Sequence, residues 1–391
     1  MRTAGIIAEY NPFHEGHQYH IEETRKKTGA DFIIVAMSGD FVQRGEPALF
    51  SHPIRTRAAL MNGADLVLQL PVIYALSGAQ SFAGAGVSLL EALGCVDSLV
   101  FGSECGSTEK ITEAAIALSG EEIKPLISEE LSKGISFASA RENALRRISP
   151  ESADIIRTPN NILGVEYVSA IRRIGGGMKA VTFAREGAEH DSAKACGYSA
   201  SASKIRENFR NGEEWRKYVP ENAAELYSGA ETADISGIER AILYRLRTAD
   251  AREISQAPDV SEGIENRIAS AAVQATSLEE LYSLAKTKRY SHARIRRIVL
   301  NFFLGITAKE LEIPVPYIRV TGFTERGAGI IRSARETARL PIITKTADIR
   351  LLGEEAQTVF SAECRAGDIY SLCLTGVRPC GDEKSFRPII L

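Results

Sequence analysis

Through the first half of the chain, short apolar runs alternate with stretches whose apolar residues recur at helical spacing, the alternation that a parallel α/β sheet requires. Thr3 to Ala8, Phe32 to Met37, Leu66 to Leu70, Ser98 to Phe101 and Met178 to Phe183 read as strands; His17 to Lys27, Pro53 to Asn62, Ser81 to Leu93 and the run Thr108 to Arg147 read as helices. Strands this apolar predict a sheet covered on both faces, and in such sheets ligands sit at the carboxyl ends of the strands. Beyond about residue 210 the strand signal fades. Ala223 to Ser228, Ile235 to Arg247, Glu262 to Val273, Leu278 to Ala285 and Ala293 to Leu304 have helical periodicity, with Gly, Pro and Ser between them. The expected architecture is α/β: a Rossmann-like parallel-sheet domain over residues 1–212, then a mainly helical domain over 213–391. Tyr317 to Phe323 and Pro341 to Thr346 add a small irregular subdomain near the end.

A length of 391 residues suits two such domains, and 44% hydrophobic with 25% charged residues describes an ordinary folded protein. The opening MRTAGIIAEYNPF lacks the apolar core of a signal peptide and no stretch approaches bilayer-spanning length, so a cytoplasmic protein with no membrane partner is expected. Cys95, Cys105, Cys196, Cys364, Cys373 and Cys380 form no CxxC pair, which fits reduced thiols. A net charge of −3 excludes a globally basic nucleic-acid binder. No DNA partner is expected, and any RNA contact must come from a local patch.

The densest chemistry lies in GIIAEYNPFHEGHQYH, residues 5–20. An apolar run leads into Asn11-Pro12 and then His14-Glu15-Gly16-His17, where a helix-compatible stretch begins: strand, turn, helix. The free N–H groups and dipole of a helix start attract anions, Gly16 lets a phosphate approach the backbone, and imidazoles three residues apart project from neighbouring positions. His14 and His17 can together donate hydrogen bonds to charge growing on the α and β phosphates of ATP as pyrophosphate leaves. His14, His17 and His20 also make zinc a competing reading. It lacks a cysteine or carboxylate pair at ligand spacing, and a metal site does not need the preceding strand and turn, so no metal ligand is assigned.

Met37-Ser38-Gly39-Asp40-Phe41-Val42-Gln43-Arg44-Gly45-Glu46-Pro47 follows the second strand and faces the same cleft. It is either a tight turn with a surface ion pair or, through Asp40 and Arg44, a positioning element for a carboxylate or phosphate. Phe101-Gly102-Ser103-Glu104 closes the fourth strand, as a plain turn or as a bed for adenine or ribose. Asn160 and Asn161 either cap the following helix or hydrogen-bond a base or sugar. Phe183-Ala184-Arg185-Glu186 and Ser199-Ala200-Ser201-Ala202-Ser203-Lys204-Ile205-Arg206 end the domain. Ser201, Ser203 and Arg206 can embrace the β and γ phosphates, or Ser203 can be an N-cap alone. Lys286 to Arg297 concentrates cations around Tyr290, either a solvated face or the footprint of an RNA backbone through Lys288, Arg289, Arg294, Arg296 and Arg297.

HxGH between an opening strand and its helix is the layout of nucleotidyltransferases and class I tRNA synthetases, and SxSxxIR resembles the second phosphate-binding motif of the nucleotidyltransferases. With EYNPFHEGHQYH, MSGDFVQRGEPA, FGSE, PNNILGVEY, SASKIR, KRYSHARIRR and AGDIYSL, the chain resembles the bacterial tRNA(Met) cytidine acetate ligases over most of its length. The resemblance implies that acetate attacks the α phosphate of ATP, with magnesium assisting, to give acetyl-adenylate, and that the acetyl group passes to N4 of the wobble cytidine of elongator tRNA(Met). It implies ATP-binding positions at Ile7-Ala8-Glu9-Tyr10-Asn11-Pro12-Phe13-His14-Glu15-Gly16-His17-Gln18-Tyr19-His20, Gly102, Asn160 and Arg185, with Asn161 the alternative to Asn160. Glu15 stands where the family more often has Asn. For the cytidine proton, Asp40 and Glu9 are the candidate acceptors. A small-molecule adenylyltransferase or a non-catalytic tRNA-binding protein are the other readings.

Overall fold

The computed structural model describes residues 2–185 and 200–391, so Glu186, Cys196 and Ser199 lie outside the described residues. Among the described residues ten strands form: β1 (Thr3–Ala8), β2 (Phe32–Ser38), β3 (Phe41–Val42), β4 (Glu46–Pro47), β5 (Leu66–Leu70), β6 (Ser98–Ser103), β7 (Lys179–Ala184), β8 (Ile318–Phe323), β9 (Ile342–Ile343) and β10 (Ile389–Ile390). β3 and β4 pair as a hairpin, and the rest form one sheet in the order β10-β8-β5-β2-β1-β6-β7, with β9 also on β8. β1 runs parallel to β2 from Thr3 opposite Phe32 to Ala8 opposite Met37, and parallel to β6 on its other side.

Both faces of this sheet are covered, as the apolar runs require. Ile33, Val35 and Met37 of β2 enter a core with Ile21, Ala58 and Leu60, while Ile34 and Ala36 enter the opposite core with Val87, Leu90 and Val165. The chain passes outward through β1, β2 and β5, then crosses to the other side of β1 for β6 and β7. The strand order therefore reverses between β1 and β6, and a crevice opens at their carboxyl ends. The HxGH turn leaves the end of β1, and Ser103-Glu104 closes β6 on the other side of that crevice.

The carboxyl-terminal part differs from expectation. Ile318–Phe323 builds no separate subdomain but pairs antiparallel with β5, and β10 closes the same edge. The sheet is thus not confined to residues 1–212, and one apolar core continues from Leu66 and Leu90 into Ile242, Leu281 and Ile298 of the helical part. Buried Arg319 and Thr321 on β8 disguised a core strand as a half-polar one. The helices Glu325–Thr337 and Glu354–Tyr370 were missed, because Gly327 and Gly329 interrupt one apolar stripe and the buried Glu363 interrupts the other. Among the described residues the five cysteines are unpaired, and no helix is long and apolar enough to cross a membrane.

Candidate active site

β1 ends at Ala8, and its chain turns through Tyr10, at φ 48°, and the cis Asn11-Pro12 bond into the helix Glu15–Thr28. His14 is the N-cap. Its Nδ1 accepts from the Gly16 N–H at 3.0 Å, and His17 Nδ1 accepts from the His14 N–H at 3.3 Å, a capping box built from two imidazoles. With Nδ1 committed as acceptor on each ring, the proton of the neutral imidazole sits on Nε2. Burial, with Arg185 and Arg206 nearby, lowers His14 to about 3. Burial also holds His17 well below its ordinary value, beside His14 and Arg185, and takes His20 to about 4 although the Val100 carbonyl opposes it. Near pH 7 all three rings are neutral. His14 and His17, their centroids 3.9 Å apart and their planes inclined by 30°, offer two neighbouring Nε2–H donors, whereas His20 Nε2 is engaged by the Val100 carbonyl at 3.2 Å.

Gly16 has a role the sequence did not show: a Cβ there would lie 2.8 Å from Cε1 of His14, so the glycine makes room for the capping ring itself. The side chains of Tyr10, Asn11 and Phe13 are buried beneath the turn. Tyr10 packs edgewise on Phe13 and His17, and Asn11 Oδ1 accepts from the Leu49 N–H at 2.7 Å. Gln18 is turned to Glu22 on the surface, and Tyr19 meets the Phe183 ring edge-on.

Across the crevice, Glu104 organises the second wall. Its carboxylate accepts from Thr158 Oγ1 at 2.9 Å, from the Asn160 and Asn161 N–H groups at 3.2 and 2.8 Å, and from Asn160 Nδ2 at 2.7 Å. Glu104 therefore caps the helix Pro159–Ile174, a task expected of one of the asparagines. Asn161 is buried, its Oδ1 accepting from the Glu104 and Cys105 N–H groups. Asn160 lies outside, where its Oδ1 accepts from Arg185 Nη1 at 3.2 Å. A Cβ at Gly102 would come within 2.8 Å of Arg185 Cγ, so the glycine on β6 makes room for that arginine.

The third wall joins the hairpin to the helix Ala202–Asn211. Ser201 is the N-cap, accepting from the Lys204 N–H, and Ser203 is left to accept from Arg44 Nη1 at 3.3 Å and Arg206 Nη2 at 3.4 Å. Arg206 donates to the Asn11 carbonyl at 2.8 Å and pairs with Glu46 at 2.9 Å, which ties this helix to the β1 turn. Glu9 accepts from the Gln43 N–H at 2.7 Å, and burial raises its carboxyl above the ordinary value. Asp40, the other candidate acceptor, is engaged inside the fold. It is buried, takes the His52 N–H at 2.6 Å, and lies with His52 beside Glu383. Among the described residues these three, not the amino-terminal histidines, are the group close enough to share an ion. Arg319 on Glu383 and Arg55 near Asp40 already balance their charge.

Arg55, missed in the sequence, is fully buried and donates to the carbonyls of Phe50, Glu9, Ser38 and Gly39. It locks the ends of β1 and β2 together. Its signal was a cation on the apolar stripe of a helix with Ala58 and Ala59.

The basic segment opens the helix His292–Leu304. Tyr290 is buried with its hydroxyl on the Glu262 carbonyl, so it is not a stacking platform. Arg294 donates to the Asp259 carbonyl and Ser261, Arg297 pairs with Asp259 at 3.0 Å, and Arg289 donates to the Gly134 carbonyl. Lys288 is exposed, and Arg296 reaches Glu279 only at 4.0 Å. This helix abuts the site: a Cβ at Gly45, where φ is 76°, would lie 2.7 Å from Arg296 Cβ and the Arg297 nitrogen.

The family model of the HIGH nucleotidyl transferases matches residues 1–384. A tRNA(Met) cytidine acetate ligase of Thermoanaerobacter sp. is 39% identical over 386 residues, covering 95% of each chain. One from Acetivibrio thermocellus is 34% identical over the whole of both chains. The crystal structure of apo Thermotoga maritima TmcAL superposes with a TM-score of 0.95 at 32% identity, and the form bound with alpha-thio ATP with 0.93, each over the full length of both chains. Histidines that cap a helix at the reversal point of a parallel sheet, and a likeness that spans the chain from end to end, agree: this chain belongs to the HIGH nucleotidyl transferases, among the tRNA(Met) cytidine acetate ligases.

Proposed function

We propose that the chain activates acetate with ATP as acetyl-adenylate and transfers the acetyl group to N4 of the wobble cytidine of elongator tRNA(Met), giving N4-acetylcytidine in the cytoplasm. The observation that carries the reading is the pair of uncommitted Nε2–H donors on His14 and His17, fixed by the reciprocal cap and kept neutral by burial. An acetate oxygen bonds to the α phosphorus while the bond to the β-bridging oxygen breaks and pyrophosphate leaves. His14 and His17 stabilise charge on the phosphates without a proton transfer, because their acceptor nitrogens are occupied. Arg185 with Asn160 on one wall, and Arg206 with Ser203 on the other, supply cation and hydroxyl. The cytidine amine then attacks the acetyl carbon, AMP departs and the amine proton is released.

Magnesium would enter on the triphosphate oxygens and neutralise their charge. Glu9 and Glu46, the carboxylates beside Arg206, already hold the Gln43 N–H and that guanidinium. For tRNA, the basic segment supplies Lys288 and Arg296 as outward contacts, with Arg289, Arg294 and Arg297 building the surface that presents them.

The test is pyrophosphate release from ATP with acetate and other small carboxylates, with and without tRNA. Acetate should support release, and tRNA(Met) should gain one acetyl group at the wobble cytidine. Release with a phosphorylated small molecule but with no carboxylate would make the chain an adenylyltransferase. No release at all, with tRNA still bound, would make it a binding protein.

A further inference from the structure

The hairpin β3–β4 is fixed far more firmly than a surface turn needs to be. Phe41 and Val42 are buried, with the Phe41 ring edge-on to Tyr370 at 6.0 Å. The Tyr370 hydroxyl donates to the Ala48 carbonyl at 2.9 Å, the Gln43 N–H is held by Glu9, and Gly45 is seated on the backbone of the helix His292–Leu304. The side chain left exposed at the tip is Arg44. Its Nη1 lies 3.3 Å from Ser203 Oγ, the same oxygen that Arg206 Nη2 approaches at 3.4 Å. Two guanidiniums converge on one small hydroxyl; Glu46 pairs with Arg206, and a further anion placed between the two cations would be shared by both. Arg206 Nε is buried and has no hydrogen-bond partner.

We infer that Arg44 is a catalytic residue which, with Arg206 and Ser203, receives the pyrophosphate end of ATP. This rests on the ligase reading above. As the acetate oxygen bonds to the α phosphorus, the electron pair of the breaking phosphorus–oxygen bond departs on pyrophosphate, and the Arg44 guanidinium meets that charge from the side opposite Arg206. The cations serve the leaving group, so their contribution separates from binding of the adenosine monophosphate part. The firm hairpin is what places a flexible side chain at a fixed phosphate position.

Calorimetric titration of the full chain with inorganic pyrophosphate and with AMP tests this, using Arg44→Gln and Arg44→Lys. Arg44→Gln should weaken pyrophosphate about tenfold, the loss of one charge-assisted contact, and leave AMP affinity unchanged, with Arg44→Lys between. In the reverse reaction, the KM for pyrophosphate should rise in the same order. Unchanged pyrophosphate affinity, or equal losses for pyrophosphate and AMP, would overturn the assignment. If the wild-type chain released pyrophosphate with no carboxylate, the ligase reading would fall, and the titrations would still decide whether Arg44 holds pyrophosphate.

Discussion

Two segments of this chain each concentrate nitrogen-bearing side chains, and they behave oppositely in space. Residues 14–20 gather three imidazoles, and residues 286–297 gather arginines and lysines around a tyrosine. In the first, the folded chain spends one nitrogen of His14 and of His17 on the helix cap and leaves the other free. In the second, Arg289, Arg294 and Arg297 are spent on the chain's own carbonyls and on Asp259, and the tyrosine is buried. A cluster of polar residues marks a site in proportion to the hydrogen-bonding capacity that folding leaves unspent.

The sharpest way to break that comparison is to remove the free donor and keep the spent one. Asparagine is a good N-cap, so His14→Asn retains an acceptor for the Gly16 N–H and loses the outward N–H. Pyrophosphate release should fall about 10²- to 10³-fold, the usual cost of one donor to a developing anion, with the thermal midpoint and tRNA affinity nearly unchanged. Stopped-flow pyrophosphate detection and a melting curve check it; a protein that melts early but reacts normally would make the capping role the whole story.

For the second segment the expectation is reversed. Arg297 pairs with Asp259 at 3.0 Å, both partly buried, and Asp259 sits at φ 63° in the loop before the helix Ile264–Gln274. Arg297→Ala should cost about 1.5–3 kcal/mol, the range for a hydrogen bond to a charged group, read as a shift of the urea midpoint. The salt dependence of tRNA binding should not move. A flatter salt dependence with unchanged stability would turn Arg297 back into an RNA contact.

These two outcomes follow what the sequence made legible. Strand positions were readable because β1, β2 and β5 are apolar nearly throughout, and the HxGH turn because strand, turn and helix are contiguous. Contacts that cross the chain were not. Glu104 capping a helix that starts at Pro159, Arg206 on the Asn11 carbonyl and Tyr370 on the Ala48 carbonyl join residues with no local pattern between them. Burial was not legible either: Asp40 was offered a surface ion pair and Tyr290 a place in an RNA footprint, and the fold buries both side chains.

Acid should weaken the first segment in a definite window. His14 and His20 are lowered to about 3 and about 4 by burial, whereas in the unfolded chain a histidine titrates near 6.5. Between those values the unfolded chain binds protons that the folded chain refuses, so stability is full above about pH 6.5 and declines as pH falls through the window. His20→Gln, which keeps an N–H to offer the Val100 carbonyl, should shallow that decline. Urea midpoints at three pH values measure it, and equal slopes in both proteins would place the acid sensitivity elsewhere.

The smallest effect belongs to Arg296, where the comparison is finest. Its neighbour Arg297 is held by Asp259, but Arg296 is more exposed, reaches Glu279 at 4.0 Å and lies over the Tyr282 ring at 5.5 Å. That geometry leaves its donors available to a phosphate. Arg296→Gln should lower the slope of log affinity against log salt by roughly 0.7–0.9, the release of one counterion, with the urea midpoint unmoved because an exposed pair contributes little. Lys288→Gln should act alike, and the two changes should add, since each removes one independent phosphate contact. If neither alters the slope, the whole segment is scaffold, Gly45 is seated on it for rigidity alone, and the RNA surface must be sought on another face of the crevice.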